Sequence, residues 1–268
     1  MEENKDQQTP NMSPVEPEEI EIGHADKLVG VFSEPGKTFT KMVKAGAKTS
    51  DWLIPVVILI AVSILSTILM STNPSIRLQM QQERENQIQE MVEKGTLIQS
   101  QADQQIEAME KFSSGPFMII TTSIAMIIFI FVFFFIISAL IMLFVKLILK
   151  GEGTYKDAMT AYGLPFYILV IQVIVMVILS LSMGKAFQST GIASFMNLEK
   201  GSFVNFILSK VDVFSIWFYA VLSIAFAKMF RSQSIGKYYA LIFSLWIFSS
   251  VIFFFIGKAV PFLSFLSR

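Results

Sequence analysis

Five stretches of this chain stay apolar for long enough to cross a lipid bilayer. A hydrocarbon layer about 30 Å thick needs roughly 20 apolar residues per helix. It holds no water for free backbone N–H and C=O groups, so such a run crosses as a helix. In chain order the stretches are 52–71, 117–145, 164–183, 213–230 and 239–256. They define an all-α, polytopic membrane helix bundle with five transmembrane helices. The second is overlong, about 43 Å at the helical rise, and must tilt or protrude. A weaker candidate, 192–208, carries Asn197, Glu199 and Lys200 at its centre and reads as a surface segment. Hydrophobic residues make up 53% of the chain, more than one soluble core could hide.

Lysine and arginine orient the bundle. With the N-terminus in the cytosol, the inner segments are the N-terminal region, 146–163 and 228–238. They carry Lys37, Lys41, Lys44 and Lys48, then Lys146, Lys150 and Lys156, then Lys228, Arg231 and Lys237. Five crossings place the C-terminus outside. Dense Lys, Met and Ile usage suggests a bacterial inner membrane.

Three pieces lie outside the spans. Residues 1–26 hold eight Asp or Glu against one Lys, together with Pro10, Pro14 and Pro17. Without a basic start or an apolar run they read as a disordered cytosolic tail and not a signal peptide. Residues 27–50 contain a lead-in helix opened by Pro35. Phe39, Met42 and Val43 share one face of it, and Lys41 and Lys44 lie mostly on the other. That pattern suits the inner membrane surface, or packing on the protein's own loops. Residues 51–268 form the five-span domain. Within it, 74–112 reads as an extracytosolic hairpin of two helices turning at Lys94-Gly95-Thr96, each about 27 Å long. Its apolar stripe could dock a partner or be used up inside the hairpin.

Chemistry is sparse. The absence of Cys and a single His24 exclude disulfides, thiolate sites and His-based catalytic dyads. No span carries an ionisable residue near its centre, and no broken helix is visible. Coupled transporters and intramembrane proteases normally need such features. The formal net charge of zero gives no case for nucleic acid. No cofactor or metal is expected. One strong polar group, Gln172, falls at mid-depth, where it could line a path or bond a neighbouring helix. The candidate interaction loop is Lys150, Gly151, Gly153, Tyr155, Lys156, Asp157, Tyr162 and Pro165. It reads as a tight turn after a helix that meets anionic headgroups or a cytosolic partner.

The motifs resemble the Yip family of Ypt/Rab-interacting membrane proteins, in its prokaryotic branch. Ser33-Glu-Pro35-Gly-Lys-Thr-Phe39 is similar to the family's Pro-x-x-x-Phe segment. Lys146-x-x-x-Lys150-Gly-Glu-Gly153-Thr-Tyr-Lys-Asp-Ala158 is similar to its inner loop. Ala161-Tyr-Gly-Leu-Pro165 resembles the opening of its third span. Asp212, Trp217 and Phe230-Arg-Ser-Gln-Ser-Ile-Gly-Lys237 resemble its fourth span and basic exit loop. The resemblance covers roughly residues 30–260 and implies a five-helix bundle with a cytosolic N-terminus. For eukaryotic members it implies contact with prenylated small GTPases, but a copy of their Asp-Leu-Tyr-Gly-Pro motif is missing here.

The expected function is a non-catalytic membrane scaffold that binds a protein partner and lipids. The alternative is a lipid- or small-solute-handling protein, which requires a hydrated groove in the bundle. A membrane enzyme would need Glu152, Asp157, Tyr155 and Tyr162 to converge.

Overall fold

A computed structural model of the chain describes residues 21–112, 116–196, 198–199 and 201–260. Eleven α-helices and one short 3₁₀ turn occur among them, and no strand. The lead-in helices are α1 (His24–Ser33) and α2 (Pro35–Ala45). Then come α3 (Ser50–Thr72), the hairpin α4 (Pro74–Glu93) and α5 (Gln99–Phe112), and α6 (Pro116–Leu149). The second half holds α7 (Tyr155–Gly163), α8 (Phe166–Met183), α9 (Phe203–Lys210), α10 (Val213–Met229) and α11 (Ile235–Ala259).

Four segments are long and apolar enough to cross a membrane: Ser50–Thr72, Ile119–Leu149, Tyr155–Met183 and Ile235–Ala259. A fifth crossing exists only when α9 and α10 are taken together, bent by 58°. This corrects two expectations. Residues 203–210 form a helix paired with α10, where the sequence suggested a surface segment. The segment over the fourth expected span consists of two helices bent at a break, where no broken helix was expected. Glu199, one of the polar residues that argued for a surface segment, lies just before α9, and the apolar run resumes at Phe203.

The third span is longer than its apolar core suggests. Thr154 and Asp157 form a reciprocal capping box that starts α7 before the hydrophobic run begins. Pro165 lacks an N–H to continue the ladder, so α7 ends there and α8 restarts at Phe166.

α3 lies along α8, and α10 packs against α11, α7 and α2. Their shared core holds Phe39, Met42, Trp52, Phe134, Leu222 and Phe226, all buried. Thus Phe39 and Met42 on the apolar face of α2 are covered by the protein itself, chiefly by α10, the second of the two readings its pattern allowed. Lys37, Lys41 and Lys44 stay exposed on its other face. α1 begins at His24, inside what the sequence reads as tail, and Lys27 forms a buried ion pair with Asp51 at 2.6 Å. The rest of that tail, residues 1–20, lies outside the described residues.

The hairpin forms, with unequal arms of about 30 and 21 Å. Gly95 takes a positive φ of 69° at the turn, a conformation glycine adopts without steric cost. Ile76, Ile88 and Ala102 are buried. Ile76 and Ile88 of the stripe are thus covered, whereas Ile98 stays exposed. α4 is tied to the bundle by Gln79. Its side-chain amide donates to the Gly184 carbonyl at 2.9 Å and accepts from the Ala186 N–H at 3.0 Å.

Candidate functional site

The break between α9 and α10 organises the polar interior. α9 stops at Lys210, and Asp212 begins α10 from an extended conformation with φ −135°. Asp is a favoured N-cap because its carboxylate accepts the orphan N–H groups of the first turn. Here it accepts from Phe214 N at 3.3 Å and Ser215 N at 3.2 Å. The Val211 carbonyl left free by the break accepts from Ile192 N. Gly191 makes that approach possible, because a Cβ there would lie 2.5 Å from the Ser209 carbonyl oxygen.

Asp212 is 3% exposed, and its carboxylate has no ion-pair partner among the described residues. It is held by neutral donors instead. Thr190 Oγ1 donates to Oδ1 at 2.8 Å, Gln172 Nε2 to Oδ2 at 2.7 Å and Ser215 Oγ to Oδ2 at 2.7 Å. Gln172 also donates to Thr190 at 3.0 Å. A buried charge demands such saturation, because an unsatisfied one costs several kcal/mol or more. Gln172 lies about 16 Å along α8 from its Met183 end. Thr190 and Asp212 therefore lie at mid-helix level, well below that end.

Above this cluster opens a cavity of about 1020 Å³. α4 forms one wall with Gln79, Arg84 and Asn86, and the 185–198 segment another. α9 contributes Asn205, Ser209 and Lys210, and Gln172 and Asp212 line the middle. The floor is aromatic: Tyr162, Phe218, Tyr219 and Trp246. Tyr219 and Trp246 stack at 4.4 Å, and Tyr162 meets Phe134 and Phe166 at ring distances of 5.4 and 5.0 Å. Below that layer the core is closed by Trp52 stacked on Phe134 at 5.1 Å. Its lining runs from α4 of the hairpin to this aromatic layer inside the bundle.

The residues singled out from the sequence divide into three groups. Lys150 and Lys156 are exposed at the lead-in end. Gly151, Gly153, Tyr155, Asp157 and Pro165 build that end. A Cβ on Gly153 would lie 2.7 Å from the Phe230 ring, and one on Gly151 would lie 2.6 Å from the Tyr238 hydroxyl. The loop is also clasped by Arg231, whose guanidinium donates to the Glu152 carbonyl at 2.6 Å. Tyr155 donates to the Phe135 carbonyl at 2.9 Å, and Asp157 is engaged by the capping box. Tyr162 and Gln172 instead meet at the cavity. Of Glu152, Asp157, Tyr155 and Tyr162, Tyr162 alone lines it, so the four do not converge.

Sequence reading missed Asp212 as a buried group, along with Thr190, Ser215 and the whole 185–198 wall. A signal was present: Asp212 with Ser215 three residues on, directly before an apolar run, is an N-cap pattern.

Helices long and apolar enough to cross a membrane, packed around a partly polar interior, define the class: an integral membrane protein of the polytopic α-helical kind. The family follows from comparison, because the Yip1 domain model matches residues 29–256. The chain belongs to the Yip1 domain family. No curated protein and no solved structure matches it.

Proposed function

We propose that this protein is a non-catalytic binding protein of the membrane that takes a small polar or amphiphilic molecule into its dead-end cavity. The carrying observation is the cavity of about 1020 Å³, with polar walls and an aromatic floor set inside an otherwise apolar bundle. Ligand sites are concave, largely preformed, and combine apolar lining with a few placed polar groups. In this reading the hairpin end faces outside the cell and the lead-in end faces the cytosol of a bacterium, following the lysine bias. The packed aromatic layer beneath the cavity, with Trp52 stacked on Phe134, supports a receptor or carrier step over an open channel.

A second reading is a scaffold that binds a protein partner at the lead-in end. Its support is the set of exposed cations Lys37, Lys41, Lys44, Lys150, Lys156, Arg231 and Lys237, standing on a rigid, buried base. Anionic headgroups fit the same surface.

Photo-crosslinking in living cells separates the two. A photoreactive residue replaces Asn205 in one strain and Lys156 in another. The first reading expects a small-molecule or lipid adduct of defined mass at position 205. A single protein adduct at position 156, with nothing at 205, would replace it by the scaffold.

A further inference from the structure

The charges on the cavity wall do not balance among themselves. Arg84, Lys185 and Lys210 line it. Among the described residues none of them has a carboxylate within ion-pair distance. The Lys210 ammonium sits over the Phe206 ring at 5.2 Å. That of Lys185 sits over Phe187 at 5.2 Å and donates to the Ser194 carbonyl at 3.2 Å. Each ammonium carries three donors, so capacity is left over.

Asp212 and Glu83 set two negative charges against these three, so the wall keeps one positive charge in excess, and hydrogen bonding leaves Asp212 no direct pairing with the cations. Both oxygens of Asp212 are already occupied by Gln172, Thr190, Ser215 and the first N–H groups of α10. Glu83 has an interaction of its own. Three cations around a partly desolvated cavity attract an anion more strongly there than in water. The floor points the same way for the rest of the ligand, because Tyr219, Trp246 and their neighbours offer faces to an apolar body and not to a bare ion.

Resting on the cavity-binding reading above, we infer that the ligand carries an anionic oxygen group, phosphate or carboxylate, on an apolar body. The anion is held among Arg84, Lys185 and Lys210 on the cavity wall, and the body lies toward the aromatic floor. Charge-assisted hydrogen bonds of this kind are the strong ones in a binding site.

Native mass spectrometry of the full chain in detergent tests this. The probes are a short-chain phosphatidic acid, a phosphatidylcholine with the same tails, and inorganic phosphate. Wild type should retain the phosphatidic acid at about tenfold lower concentration than the phosphatidylcholine. The double variant Lys185→Gln, Lys210→Gln should lose that preference, and Lys210→Arg should keep it. Displacement of the phosphatidic acid by inorganic phosphate would support the anion site and assign it to soluble anions. Resistance to displacement would support it and assign it to a lipid headgroup. Equal retention of both lipids by wild type, still abolished by filling the cavity with Asn205→Trp, would overturn the anion inference and leave the cavity reading standing. Lipid retention unchanged by Asn205→Trp would sink the cavity reading itself.

Discussion

At the lead-in end, Phe39, Met42, Trp52, Phe134, Phe226 and Phe230 belong to one core and are all buried. At the hairpin end, a carboxylate, an amide and hydroxyls line open volume under a polar arm. The same helices serve both ends, so the difference lies in side-chain size and in one helix break. α10 is continuous where it packs on α2 and α7, and it begins at Asp212 where the cavity opens. A bundle of this kind gains rigidity from one end and frees the other for binding. Functional sites work best when a rigid element supports them.

That contrast can be broken most severely at Asp212. Asp212→Ala removes an N-cap and strands Gln172, Thr190 and Ser215, a loss of about 3 kcal/mol. Thermal unfolding of the purified chain in detergent should show a clear drop in Tm, and Asp212→Asn should recover part of it. Unchanged stability in Asp212→Ala would mean that the break is held by something else.

Next in size is an enlargement at the packed end. A Cβ on Gly163 would lie 2.6 Å from Trp52 Cβ and 2.8 Å from its Cα. Gly163→Ala should therefore cost about 1–3 kcal/mol, as overpacking does. Asn205→Leu adds an apolar side chain at the open end and should leave Tm nearly unchanged while lowering ligand retention. Equal destabilisation by both would erase the distinction between the ends.

Gln172→Leu sharpens the comparison. It removes two donors but fills similar volume, and interhelical hydrogen bonds of this kind are worth about 1 kcal/mol. The expected drop in Tm is smaller than for Asp212→Ala. A larger one would make Gln172 the organising residue.

The smallest effect concerns His24, whose Nε2 lies 2.6 Å from the Tyr167 hydroxyl. Burial pushes its imidazole below the ordinary value of 6.5, and Lys27 adds to that, against an opposing pull from Asp51. A folded-state value below the unfolded one means that the unfolded chain binds the proton more readily. The stability His24 contributes is thus present above about pH 6.5 and fades as pH falls through the window beneath it. Hydrogen exchange in α1 should rise on acidification in wild type and change less in His24→Gln.

The crossings were legible because lipid imposes a length and a composition that single residues cannot disguise. Pro35, Pro165 and the Gly95 turn were legible because each removes or requires a specific backbone conformation. The cavity was not. Gln172 and Asp212 lie far apart in the chain, and no local pattern says that they meet. The α2 face stayed open between lipid and protein because its apolar residues look alike whether they are covered by acyl chains or by α10. Tyr162 was grouped with the loop it follows, although its ring reaches the cavity floor.

The measurement that tests the central claim most directly uses the natural absence of cysteine. Single cysteines replace Ser209 and Leu169 on the cavity wall and Ala225 in the packed end. A membrane-impermeant maleimide is then applied from the hairpin side of oriented vesicles. The account predicts labelling at 209 and 169 and none at 225. Protection of 209 and 169, or equal labelling of all three, would contradict a cavity open at one end and sealed at the other.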